Sequence, residues 1–376
     1  MAGILKAPFP WFGGKSGIAP EVWAHLGHPK NYVEPFCGSA AMLLQCPHRV
    51  AVRTINDLDG FVANFWRSVA LEPDAVAKSI DYPVTEIDLT ARHLDLMRRR
   101  DGMAERLIID PKYCDPEAAG WWAWGASTWI GTGWCGGDGP WKVVDGRLVN
   151  TSSGENGSRR KVPELGTDKG INRQMPELGS GNGKGINRDT GVSRQIPSLL
   201  MGGAAGINRQ MPHIGNTGMG PNRPQYGGSV DERAESIRDY IARLCDVLRT
   251  VRVTCGDWRR VLTPSATTIH GVTGIFLDPP YGEGNQQYAA GGNDTADVSR
   301  DVWEWACANG DNKLLRIVVS GYEDGRPMPP GWTAQRWKAK KGYQLTDEAM
   351  LNSAREVIWI SPHCVGGRQA SLFDAE

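Results

Sequence analysis

Gly274-Ile275-Phe276-Leu277-Asp278-Pro279-Pro280-Tyr281 is the stretch on which the reading of this 376-residue chain turns. A short apolar strand runs directly into an acid, two prolines and a tyrosine. Proline fixes φ and carries no backbone N–H, so the acceptors of the turn are held rigidly and meet no competing donor. Asp278 supplies one acceptor, its carboxylate, and the backbone carbonyl of Pro279 supplies a second. Two fixed acceptors suit methylation of an exocyclic amino group. The lone pair of the adenine amino nitrogen is delocalised into the ring, and hydrogen bonds from both amino hydrogens draw it out as the nitrogen becomes tetrahedral. Tyr281 adds a flat face on which a base turned out of a duplex can stack. The plain alternative is a strand ending in a proline turn with a capping acid. The tetrapeptide alone does not choose between the two.

Working outward, the flanking segments read as α/β. Asn31 to Glu34, Arg53 to Asn56 and Val251 to Thr254 read as short strands, and Leu314 to Val319 as a buried one. Helical spacing covers Ser16 to Leu26, Phe61 to Ala70, Leu89 to Leu107, 232 to 249 and Val302 to Ala308, and Ser39 opens a further helix. Thr333 to Lys338 and Glu356 to Ser361 read as a closing antiparallel pair. Strands alternating with helices imply a mainly parallel sheet covered on both faces.

Four further motifs precede helices or follow strands. Trp11-Phe12-Gly13-Gly14-Lys15 opens a helix, and its glycines let backbone N–H groups approach a ligand while Lys15 can meet a carboxylate. Glu34-Pro35-Phe36-Cys37-Gly38-Ser39 is a strand end, a tight glycine turn and a helix start, the arrangement that holds nucleotide-like cofactors at the carboxyl end of a parallel strand. It lacks the dinucleotide glycine pattern, and nothing suggests a pyrophosphate. Asp57 ends the next strand, where an acid can accept from both hydroxyls of a ribose; its plain alternative is a helix N-cap. Asp257 and Trp258 follow a third strand, where an adenine ring could sit, and their plain alternative is a capping acid beside a core tryptophan.

The order of these motifs closely resembles that of the Dam-type, alpha-group DNA N6-adenine methyltransferases, of the phage or prophage kind, over about 1–70 and 230–361. The resemblance implies a methyltransferase-type sheet and S-adenosylmethionine as donor, giving S-adenosylhomocysteine. It also implies that Trp11, Lys15, Asp57 and Asp278 contact the donor, and that Arg355 to Ile360 is the final strand. Transfer would proceed by base flipping and direct displacement, with no covalent enzyme intermediate and no metal, because the sulfonium is already activated. The implied partner is double-stranded DNA, with or without a cognate restriction nuclease. An N4-cytosine enzyme is the main competitor, although such enzymes more often carry Ser at the position of Asp278. A catalytically inactive DNA-binding module is the alternative from another class.

The family places its target-recognition region before the catalytic strand. Here residues 71–229 occupy that place, and the usual recognition hairpin is not evident. Residues 71–150 read as a helical, Trp-rich part. Trp121, Trp122, Trp124, Trp129 and Trp134 read as the core of a small helical unit, with base stacking as the lesser alternative. Residues 151–229 carry an imperfect Gly-Ile-Asn-Arg repeat and no apolar periodicity. Ten basic residues against five acidic ones in 151–228 make a basic arm on a chain whose formal net charge is +0. Arg159, Arg160, Lys161, Arg173, Arg188 and Arg209 are its candidate DNA contacts. Arg98 to Arg100, Arg259-Arg260 and Arg336 to Lys341 are further basic clusters. Composition adds that 40% hydrophobic residues support a sizeable core. Eight scattered cysteines with no C-x-x-C pair argue for reduced thiols and against structural zinc. With no signal peptide or spanning segment evident, a cytoplasmic, nucleoid-associated location is expected.

Overall fold

A computed structural model describes residues 4–11, 14–129, 134–135, 141–144, 147–150, 230–280, 295–337 and 355–365. One sheet holds seven strands in the order β5 (Val251–Cys255), β2 (Val52–Asp57), β1 (Asn31–Glu34), β6 (Thr273–Leu277), β7 (Leu315–Tyr322), β9 (Glu356–Ile360) and β8 (Thr333–Arg336). The first five are parallel to their neighbours, while β9 runs antiparallel to both β7 and β8. The expected closing pair is therefore present, inserted with β9 between β7 and β8.

Every residue of β1 and β6 is buried. Parallel strands covered on both faces are mostly apolar, and the polar ends of β1, Asn31 and Glu34, are buried with hydrogen-bond partners; the two-residue period decides which face each side chain serves. Val33, Ile275, Leu277, Ile317, Val319, Val357 and Trp359 share one core, with Val302 and Ala306 of α9 (Thr295–Asn309). Tyr32, Phe276, Val318, Ile358 and Ile360 face the other core. That second core holds α1 (Ala19–Leu26) and α3 (Gly60–Leu71), whose Val22, Trp23, Phe61, Phe65 and Trp66 are buried. Asp59 caps α3 by accepting the Phe61 N–H at 2.8 Å.

The segment after α3 is helical. α4 (Pro73–Ile80), α5 (Glu86–Arg100), α6 (Met103–Ile109) and α7 (Pro116–Thr128) follow, and α8 (Val230–Leu248) packs against α3 and α4. The stretch from Leu89 to Leu107 is two helices, not one. Gly102 adopts φ +76°, a left-handed conformation that glycine takes at little steric cost, and it ends the run between α5 and α6. The helix expected from Ser39 is a single short one, α2 (Ala41–Leu44).

The tryptophans of α7 are core residues. Trp122 and Trp124 are buried, and Trp122 packs against Phe9 at 4.8 Å between ring centroids. Phe9 also meets Phe65 edge-on at 5.1 Å, so α7 joins the same core as the sheet. Trp134 folds back over α7, donates from Nε1 to the Trp122 carbonyl at 3.0 Å and occupies the space that a side chain at Gly125 would need. A hairpin that the sequence reading did not find is present as well: β3 (Trp141–Val144) pairs antiparallel with β4 (Arg147–Asn150). Asp145-Gly146 between them is a strong short-range hairpin signal.

Candidate active site

The carboxyl ends of β5, β2, β1 and β6 lie along one edge, and the residues just past them are 256–258, 57–59, 35–39 and 278–280. Open α/β sheets bind ligands at this edge. Asn56, fully buried in β2, fastens it together. Its Nδ2 donates to the Pro35 carbonyl at 3.0 Å and to the Gly256 carbonyl at 2.9 Å. Its Oδ1 accepts from Thr254 Oγ1 at 2.8 Å, and its backbone carbonyl accepts the Cys37 N–H at 2.9 Å. One amide thus sets the spacing of the turns after β1, β2 and β5. The sequence reading assigned Asn56 no role. Its place just before an acid at the end of a central strand was the available signal.

The turn after β1 depends on glycine for two reasons. Gly38 has φ +45°, and any Cβ there would run into the Trp11 indole. Ala40, also left-handed at φ 49°, shows that this turn stores backbone strain. Trp66 Nε1 donates to the Gly38 carbonyl at 3.0 Å, and the Gly38 N–H donates to Asp57 Oδ2 at 2.9 Å. Trp11 touches the core through Trp122 at 6.0 Å, so the first motif, the glycine turn and α7 form one packed unit.

Four acids and one lysine converge here. Asp57, half-buried, also accepts the Asp59 N–H at 3.0 Å, and burial pushes its carboxyl up to about 7. Its side chain pins the glycine turn, while the α3 cap falls to Asp59. Glu34 is 2% exposed. Its Oε2 accepts from Tyr32 Oη at 3.0 Å and from the Leu43 N–H at 3.2 Å, tying β1 to α2. Burial pushes Glu34 up to about 8, with Asp278 and Asp57 adding to the rise and the two hydrogen bonds opposing it. Lys15, 5% exposed, meets Asp278 Oδ1 at 3.1 Å and lies 3.9 Å from Glu356 Oε2. Glu356 opens β9 and is buried; burial pushes it up to about 7, Lys15 acts downward and Asp278 upward. Glu356 was read only as part of the closing strand.

Other candidate residues fall as follows. Pro35, Cys37 and Ser39 are buried around the turn, and Phe36 packs on Trp258 at 6.1 Å. Asp257 is exposed, caps a short 3-10 turn by accepting the Arg259 N–H at 2.8 Å, and pairs with Arg259 Nη1 at 3.2 Å. Trp258 is buried in the core that Val33, Ile275 and α9 share. That pair matches the capping-acid and core-tryptophan alternative. Pro279 is buried and Pro280 half-buried beside Asp278, and Gly14 precedes the turn that carries Lys15. Phe12, Gly13, Tyr281 and the arm residues Arg159, Arg160, Lys161, Arg173, Arg188 and Arg209 lie outside the described residues.

Each described basic cluster has an arginine engaged within the chain. Arg99 pairs with Asp95, Asp115 and Glu117, Arg259 with Asp257 and Asp301, and Arg336 with Glu323. The described cysteines are free thiols, and among the described residues no cluster of three metal-ligating side chains occurs. Among those residues, no helix is long and apolar enough to cross a membrane.

Residues 11–91 match the family model of the D12 class N6 adenine-specific DNA methyltransferases. This is an enzyme that methylates adenine N6 in DNA. The matched span runs from Trp11 and Lys15 through the Gly38 turn to Asp57, and the methyltransferase brings Asp278 and Glu356 to that unit from the other end of its chain. The match also implies S-adenosylmethionine as the methyl donor. A search of the curated proteins found no match.

Proposed function

We propose that this methyltransferase works by turning a target adenine out of double-stranded DNA and holding its amino group between the Asp278 carboxylate and the Pro279 carbonyl. The observation that carries the reading is the placement of Asp278. It stands just past β6, beside the edge fastened by Asn56, with its carboxylate 16% exposed and one oxygen on Lys15. A partly open carboxylate on rigid backbone suits an acceptor aimed at developing positive charge. Tyr281 follows directly in sequence and supplies the stacking face.

The donor would lie across the turns after β1 and β2. Asp57 is a half-buried acceptor there, fit for ribose hydroxyls, and the Gly38 turn and Trp11 would flank it. S-adenosylmethionine supplies a methyl group on a sulfonium, activated without a metal. Asp278 and Pro279 orient the nitrogen, and the packed turns exclude water from it. The Dam-type grouping with a phage-like origin, and the role of residues 71–229 in target recognition, belong to the same proposal. Support comes from the order of the motifs and from the excess positive charge of the arm.

Nucleoside mass spectrometry of DNA from an expressing host tests the reading. N6-methyladenine is expected with the intact chain and background levels with Asp278→Ala. N4-methylcytosine in its place would refute the adenine assignment.

A further inference from the structure

Glu356 belongs to β9, the last strand in chain order, two strands away from β6 in the order β6-β7-β9. Because β9 is antiparallel, its first residue sits at the carboxyl edge, opposite Tyr322 of β7. Topology thereby delivers a second buried carboxylate to Lys15. The ammonium lies between Asp278 Oδ1 at 3.1 Å and Glu356 Oε2 at 3.9 Å. The second distance is too long for a hydrogen bond, and Glu356 Oε2 has no hydrogen-bond partner among the described residues. A buried acceptor without a partner is costly unless something else holds it in place.

We propose that Glu356 is a positioning residue: it draws on Lys15 from β9 and so sets how much of the Asp278 carboxylate is left to accept the target amino group. This rests on the reading of Asp278 given above. One cation shared by two acids cannot satisfy both fully. With Glu356 charged, Lys15 is pulled between them, and Asp278 keeps acceptor strength for the amino hydrogens. With Glu356 neutral, Lys15 turns wholly to Asp278 and competes with the substrate for it.

Among the described residues, the titratable groups that face Glu356 are Lys15 from the turn before α1, Asp278 from the end of β6 and Tyr322 from β7. Trp337 places its ring 5.9 Å from the Lys15 ammonium. At the rim, Arg336 is taken up by Glu323, and Arg355 lies over the Tyr322 ring at 5.8 Å. Burial, which raises Glu356 to about 7, places its charge change near neutrality.

The test compares kcat of intact enzyme with that of Glu356→Gln from pH 6 to pH 8.5, under saturating donor and DNA. The ratio of the two is expected to be near one at the acid end. It should rise to about 10- to 100-fold at the alkaline end, the range that follows from misplacing a reacting group by about 1 Å. Taking the ratio cancels other groups that titrate in both proteins. A purely structural role would give a ratio that does not change with pH, and that result overturns the proposal. Glu356→Asp keeps the charge on a shorter arm, so its kcat should retain a pH-dependent limb with a shifted midpoint. If Glu356→Gln does not fold, a Glu356→Asp profile identical to that of the intact enzyme overturns the proposal instead. Asp278→Ala, run alongside, separates the two claims. If it retains turnover, the reading of Asp278 fails. If it is inactive while the Glu356→Gln ratio stays flat, only the positioning role fails.

Discussion

The Asp57 carboxylate accepts the Gly38 N–H at 2.9 Å, so the acid that ends β2 fixes the turn that ends β1. The proposed donor site and the fold are coupled through this one bond. A residue that holds a turn cannot be replaced without moving the surface the turn presents.

Gly38→Ala should therefore damage both stability and donor binding. The left-handed φ of +45° costs a non-glycine residue about 1–2 kcal/mol, and the new methyl would displace the Trp11 indole. Thermal melting and donor calorimetry on the same preparation check this. A variant with lowered melting temperature and unchanged donor affinity would show that the turn serves the fold alone.

Stability should fall as pH rises through neutrality. Glu34 is held at about 8 in the folded protein, against an ordinary value of 4.5. Between those values the folded chain keeps a proton that the unfolded chain has released, so each added pH unit weakens the fold, by up to about 1.4 kcal/mol. Asp57 and Glu356, both raised to about 7, act in the same direction. Glu34→Gln keeps an acceptor for Tyr32 and Leu43 but cannot ionise. Urea denaturation from pH 5 to pH 8 should show this variant gaining on the intact protein as pH increases. A constant difference across that range would contradict the account.

Much of this site could be read in the chain before its structure. The strands carry their own punctuation: β6 ends in Asp-Pro-Pro, β1 in Glu-Pro-Phe-Cys-Gly, and β9 alternates between the two cores. These are local signals, and local signals survive in a sequence. The grip of Asn56 on Pro35 and Gly256, and the approach of Lys15 to Glu356, are set by which strands neighbour each other. No spacing along the chain encodes them. The break at Gly102 was missed because apolar periodicity continues on both sides of it. The β3–β4 hairpin was missed because its strands are only four residues each.

Asn56→Ala should destabilise the protein by about 1–3 kcal/mol, because it takes the side-chain donor from the Pro35 carbonyl, which is buried, and from the half-buried Gly256 carbonyl, while the Thr254 hydroxyl keeps the Ile55 carbonyl as acceptor. Chemical denaturation gives the number. Donor affinity should fall in parallel, since the turns after β1 and β5 lose their common anchor. A loss within about 0.5 kcal/mol would mean that water or rearrangement replaces these bonds.

Replacing residues 155–226 with a short Gly-Ser linker should leave donor binding intact, since every proposed donor and acceptor motif lies outside that span. DNA affinity should drop. Its dependence on salt should flatten by about 0.9 in the log–log slope for each phosphate that the protein no longer neutralises. DNA affinity across a salt series for both proteins is the measurement, and identical curves would make the arm a passive insertion.

The central claim is that Asp278 acts on the acceptor amino group rather than on the donor. Single-turnover methyl transfer by Asp278→Ala on duplex DNA, with donor affinity measured by calorimetry on the same protein, tests it most directly. Transfer should fall by at least about 10²–10³-fold, the scale of losing one preorganised electrostatic partner, while donor affinity changes far less than in Asp57→Ala. Near-normal transfer, or a loss of transfer matched by an equal loss of donor affinity, would contradict the account.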